Sequence, residues 1–250
     1  MLAAGPGAGS AAFSAGSSRP AWIASREVQE QDIAGVLEET TFWVQAGEQR
    51  FLVVSRPPSG EAARGTLLFL VDESAAPDGH TRSAGLRIGL ARHGWHTFFA
   101  RLDATAPIAD VSSGSEPAST SADEADASRL AQLQALLGCA RDNGSGDRVV
   151  VVVEGGAGHL VLPLASRLQS DGFIILNLPL LTTSARQSRH ALAAMQGPSL
   201  LVQEFPLGWA QDQELGSGVE LRRLPPGHGG RDDDRVLRRL RGWLQRQAAG

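Results

Sequence analysis

A chain of 250 residues, 42% hydrophobic and 20% charged, has an ordinary globular composition and is long enough to bury a large core. Its formal net charge of -4 leaves no overall electrostatic footprint for nucleic acid or an anionic membrane. All 23 basic residues are arginines and tyrosine is absent, which excludes a Walker-type phosphate loop, a Schiff-base lysine and a catalytic Tyr-Lys pair.

The chain opens on "MLAAGPGAGSAAFSAGSSRP", small residues without a basic region or a continuous apolar stretch. As written this is not a signal peptide, and residues 1–25 are expected to form a flexible tail. The compartment stays open between periplasm and cytoplasm. "TFWVQAGEQRFLVVSRP" holds two apolar runs joined by "AGEQ", a hairpin signal. "GTLLFLVDE" has the look of a strand buried on both faces. "TRSAGLRIGLARHG" follows as a helix closed by Gly94, then "WHTFFARLD" as a strand. Residues 104–123 are rich in Ser, Ala and Pro and read as a mobile surface insertion. "EADASRLAQLQALLGCARDNG" is an amphipathic helix that turns Leu130, Leu133, Leu137 and Cys139 inward. Cys139 is the single cysteine, so an intrachain disulfide and a cysteine-based metal cluster are excluded.

Beyond it, "VVVVVEGGAGHLVLPLA" reads as a buried strand, a glycine turn and a helix, with "HLVLPLASRL" as a buried central helix. "FIILNLP", "PSLLVQEF" and "GVELRRLP" are further strands, and "SARQSRHALAAMQG" is a helix between the first two. "DDDRVLRRLRGWLQRQ" closes the chain as a helix, with acids at its start and arginines towards its end to match the dipole. No run of eighteen apolar residues exists to form a membrane-spanning helix. Strands and helices alternate from residue 66, which predicts one α/β domain over 26–250. The expected sheet is mostly parallel, of about eight strands, with helices on both faces.

The hairpin, the alternation and the glycine turn after the fifth strand resemble the α/β-hydrolase fold over roughly residues 40–247. "TFWVQAGEQRFLVV", "LARHGWHTFFARL", "VVVVEGGAGH" and "RRLRGWL" together resemble an α/β-hydrolase-like bacterial family, domain of unknown function 3530. The resemblance implies the fold and no established reaction. In that fold a strained turn of the form small-x-nucleophile-x-small follows the fifth strand. Ending the pattern on Gly158 puts Gly156 at the nucleophile position, and shifting it by one puts Ala157 there. Neither supplies an oxygen or sulfur. The bland reading is that Gly155, Gly156, Ala157, Gly158 and His159 only permit a tight turn; the functional one is a ligand-binding loop.

His228, in "PPGHGG", stands where the fold places its catalytic histidine, and it reads equally as a solvated loop residue. Glu204, Asp212 and Glu214 are candidates for the acid, and none is distinguished from a surface carboxylate. The oxyanion loop, usually His-Gly in α/β-hydrolases, is Asp72-Glu73 here, and carboxylates repel a developing oxyanion. Asp72 and Glu154 end strands that the fold makes neighbours, about 5 Å apart. Together they suggest an acid/base or cation site, which His159 or His228 would complete; otherwise each caps a helix or pairs with an arginine. No motif calls for a cofactor or a resident metal. His80, His93, His96 and His190 are expected to be solvated. The resulting expectation is a binding or structural module that takes a small-molecule or protein ligand at the crevice. The alternatives are the Asp72-Glu154 site and a hydrolase with a non-standard nucleophile, Ser74 or Ser184 meeting His228.

Overall fold

The computed structural model describes residues 31, 34, 39–46, 49–59, 62–72, 77–102, 119–178, 185–195, 197–203, 215, 217–224 and 231–249. The expected tail at 1–25, most of the insertion, Ser74, Ser184, Glu204, Asp212, Glu214 and His228 lie outside the described residues.

Eight strands form one sheet: β1 (Thr40–Ala46), β2 (Gln49–Arg56), β3 (Gly65–Asp72), β4 (Trp95–Leu102), β5 (Val149–Glu154), β6 (Gly172–Leu176), β7 (Ser199–Gln203) and β8 (Val219–Arg223). Their order is β1-β2-β4-β3-β5-β6-β7-β8. β1 and β2 pair antiparallel, as do β2 and β4, and every later pair is parallel. The helices whose bounds are described are α1 (Pro77–Ala91), α2 (Ser119–Asn143), α3 (Ala157–Val161), α4 (Ala185–Ala194) and α5 (Arg231–Ala249).

The central strands carry unbroken apolar runs because both their faces are covered. Val149 to Val153 are all buried, with β5 between β3 and β6. Alternation sends Val151 and Val153, with Leu68, Leu70 and Phe98, into a core shared with Leu133, Leu136 and Leu137 of α2. Val150 and Val152, with Leu67, Phe69 and Phe99, meet Leu86 of α1 and Val236, Leu240 and Trp243 of α5 on the other face.

Four local expectations are corrected. α2 begins at Ser119, so residues 119–123 belong to a helix and not to the insertion. Within α2 the inward stripe is Leu130, Leu133, Leu136, Leu137 and Ala140, while Cys139 is only half-buried at its flank. "HLVLPLASRL" is not one helix: α3 gives way at Leu162–Arg167 to a 3-10 segment with proline in its first turn. Pro163 lacks the N–H that an α-helix would need there. His96 is buried on β4 rather than solvated, its Nε2 2.9 Å from the Ser55 hydroxyl and its Nδ1 3.2 Å from that of Ser145. Burial pushes its imidazole below the ordinary range.

A buried ion pair sits at the face covered by α1. The Glu39 and Arg87 side chains are both 0% exposed, and Arg87 Nη1 donates to Glu39 Oε1 at 2.9 Å. The guanidinium also lies 4.7 Å from the centroid of Phe99. Desolvation raises the Glu39 carboxyl above its usual range even though Arg87 and Arg56 pull it down.

Candidate functional site

The end of β5 turns sharply because Gly155 has φ +60, a left-handed value that glycine adopts without strain. Gly155 N–H donates to Leu176 O at 2.9 Å, which pins the turn to the end of β6. Gly156 then has φ -60 and ψ -27, and α3 starts behind it, with Gly158 N–H bonding Gly155 O and His159 N–H bonding Gly156 O. The left-handed residue of the turn is therefore Gly155, and not Gly156 as the pattern suggested. The frame of the pattern moves back by one, to Val153, Glu154, Gly155, Gly156 and Ala157. In this frame too the central residue, Gly155, has no side-chain oxygen or sulfur.

Among the described residues a Cβ built on Gly155 would meet no atom within 4 Å, so they leave open the space a nucleophile would occupy. A Cβ on Gly156 would fall 2.4 Å from Asp72 Oδ2. The Asp72 carboxylate, 9% exposed, thus packs against the first residue after the elbow. In a serine hydrolase that residue's N–H faces the oxyanion. Here the Asp72 carboxyl lies beside that residue, on the side where a Cβ would point.

Asp72 and Glu154 do not converge as their neighbouring strands suggested. Val71 is the register partner of Glu154, and Val71 belongs to the core under α1 and α5. Glu154 points to that same face and accepts a hydrogen bond from buried Ser83 of α1 at 2.6 Å. Asp72, one residue on, points to the opposite face, where α3 lies. Among the described residues no group of three or more His, Cys, Asp or Glu side chains could hold a metal ion.

His159, half-buried on α3, has Nδ1 2.6 Å from the hydroxyl of Ser188 on α4. The sequence reading did not single out Ser188, and no local signal marks it: the contact spans 29 positions and Ser188 is 0% exposed. His190 on α4 is exposed, and His93 Nε2 lies 3.1 Å from Arg241 Nη1. A groove of about 700 Å3, lined by Leu162, Leu168, Phe173, Ala191 and Met195 among others, opens at the N-terminal ends of β6 and β7. It lies at the other end of the sheet from the elbow.

Residues 15–172, more than half of the chain, match the family described as protein of unknown function (DUF3530). The chain belongs to this family. Among curated proteins, none matches it in sequence. Among solved structures it is similar to an esterase domain from Rhodothermus marinus, with TM-score 0.60 and 13% identity over 83% of this chain and 98% of the other. It is similar also to Est1E from Butyrivibrio proteoclasticus, with TM-score 0.61 and 11% identity over 84% and 99%. An α-β serine hydrolase homologue from Coxiella burnetii gives TM-score 0.54 and 16% identity over 83% and 96%. At such identities the likeness establishes the α/β-hydrolase fold for this DUF3530 member and leaves its chemistry to its own residues.

Proposed function

We propose that this DUF3530 protein acts by binding at the C-terminal edge of its sheet and carries no serine-hydrolase chemistry. The observation that carries the reading is the elbow: a glycine at the left-handed position, with the Asp72 carboxylate packed against the next residue. Glycine cannot be acylated, and a carboxylate there opposes the negative charge that ester cleavage develops. The open space over Gly155 is where a small-molecule or protein ligand would enter, with Asp72 favouring a cationic or hydrogen-bond-donating group. The test is hydrolysis of short-chain esters by wild type and by His228→Ala. The expected result is turnover no faster than buffer in both; robust turnover lost in the variant overturns the proposal.

A second reading, a hydrolase with a non-standard nucleophile, draws on the Ser188–His159 contact. Complete burial of Ser188 favours a role in orienting His159 over attack on a substrate. Substituting Ser188→Ala separates the two, because an attacking serine would take all turnover with it.

A further inference from the structure

The sheet ends on β8, and no strand among the described residues pairs with its outer side. β7 is buried throughout, whereas β8 is half-buried from Val219 to Leu221 and exposed at Arg222 and Arg223. The way β8 binds β7 fixes what it offers outward. Ser199 N–H donates to Gly218 O at 2.9 Å, and Leu224 N–H donates to Gln203 O at 2.7 Å. Backbone groups of successive strand residues point to opposite sides, so the even-numbered residues from 218 to 224 turn towards β7. Val219, Leu221 and Arg223 therefore direct their N–H and C=O groups away from the sheet. A row of such groups is a template for another strand.

The side chains decide which strand fits. Glu220 and Arg222 share one face, where Arg222 Nε donates to Glu220 Oε1 at 2.6 Å and Arg246 Nη2 reaches the same oxygen at 3.0 Å. Leu221 lies on the other face, packed against the core that includes α2. With a second copy antiparallel and Leu221 opposite Leu221, the outward residues face one another, Val219 with Arg223 and Leu221 with its copy. Each such pair exchanges both its hydrogen bonds. Glu220 then falls opposite Arg222 of the second copy, and Arg222 opposite its Glu220, at the closer, non-hydrogen-bonded positions. The bond within each chain is kept, and the four side chains form a ring of alternating sign.

No neighbouring register does this. Moving the centre by one residue keeps the outward groups paired but sets Glu220 against Glu220, or Arg222 against Arg222, and like charges directly opposite are destabilising. Charged residues on an edge ordinarily keep strands apart. Here the order acid, leucine, arginine is its own complement, so that guard fails against a copy of itself. β1, the other edge of the sheet, has no charge among its seven residues to select a register. We propose that the outer edge of β8 is a homodimer interface, paired antiparallel with β8 of a second copy about Leu221. It lies three strands from β5 and is independent of what the elbow binds. Two short edge strands make a small interface, so the dimer is a weak one that forms at micromolar concentration.

The experiment is sedimentation equilibrium of the full chain over about 1–300 µM, which reads the fraction of dimer. Wild type is expected to dimerise within that range. Glu220→Arg and Arg222→Glu should each weaken dimerisation at least about tenfold, because each sets like charges across the two-fold axis. An equimolar mixture of the two variants should recover the dimer, since opposite charges then meet across the axis. Mixing cannot restore a pair within one chain, so recovery separates the contact between copies from the Glu220–Arg222 bond already present. The double variant Glu220→Arg/Arg222→Glu restores both contacts and should dimerise like wild type, which gives a second reading where a single variant folds poorly by circular dichroism. The proposal is overturned by a wild type that stays monomeric throughout, by single variants that dimerise as wild type does, or by a mixture no more dimeric than its components.

Discussion

Gly156→Ala is a direct probe of how Asp72 is packed. At φ -60 the backbone accepts alanine without strain, so any cost must come from the new methyl group. That group would stand 2.4 Å from Asp72 Oδ2, 3.3 Å from its carboxyl carbon and 3.4 Å from its Cβ. The short Asp72 side chain is 9% exposed, so it cannot move aside without leaving its own partners. Forced repacking of this kind costs about 1–3 kcal/mol. In an Asp72→Ala background the obstruction is gone. There the entropic gain of replacing glycine and the small loss of a helix-capping glycine nearly cancel, leaving a change within about 0.5 kcal/mol. The double-mutant cycle should therefore show a coupling of about 1–3 kcal/mol. Gly155→Ala is the control: its methyl meets nothing within 4 Å among the described residues, so it incurs only the left-handed strain. That is about 1–2 kcal/mol, whether or not Asp72 is present. Urea denaturation gives the free energies, and each kcal/mol should also move Tm by about 2–4 °C in a chain of this size. A neutral Gly156→Ala, or strict additivity with Asp72→Ala, would refute the packing of Asp72 against the elbow.

Glu39→Gln should destabilise by about 3–5 kcal/mol, because it strips the anionic partner from a fully buried Arg87; a loss under 1 kcal/mol in urea denaturation would contradict the pairing. Burial lowers the His96 imidazole, so the unfolded chain binds its proton first and stability should fall as pH drops below about 6.5. His96→Gln should flatten that part of the pH profile, read from urea midpoints; an unchanged slope would remove His96 as its source. Since Asp72 and Glu154 point to opposite faces, divalent cations should not raise Tm, and a saturable rise lost in Asp72→Asn would restore a cation site.

What the sequence made legible is the part of the fold set by local pattern. The runs at Leu67–Val71 and Val149–Val153 declare strands buried on both faces, and the alternation with helices orders them into a parallel sheet. The elbow was legible as a glycine turn but not to the residue. Four small residues in succession let the pattern slide, and only the left-handed φ of Gly155 fixes the frame. The Asp72-Glu154 pair failed for a related reason: adjacency of strands was readable, whereas the one-residue offset that sends the side chains to opposite faces needs the register. Ser119 to Asp123 read as loop because Ser, Thr and Asp compete for the backbone in isolation, and the packing of α2 overrides that preference. Contacts such as His96 with Ser55, His159 with Ser188 and Glu39 with Arg87 span 41, 29 and 48 positions and leave no local trace.

The central claim is that no serine in this protein is activated for attack. Labelling of the purified chain with a fluorophosphonate, which reacts with any activated serine whatever its position or substrate, tests it directly. The account predicts no stoichiometric adduct in intact-mass spectra of the native protein. A single adduct at full occupancy, mapped to one serine and abolished by denaturation, would contradict it.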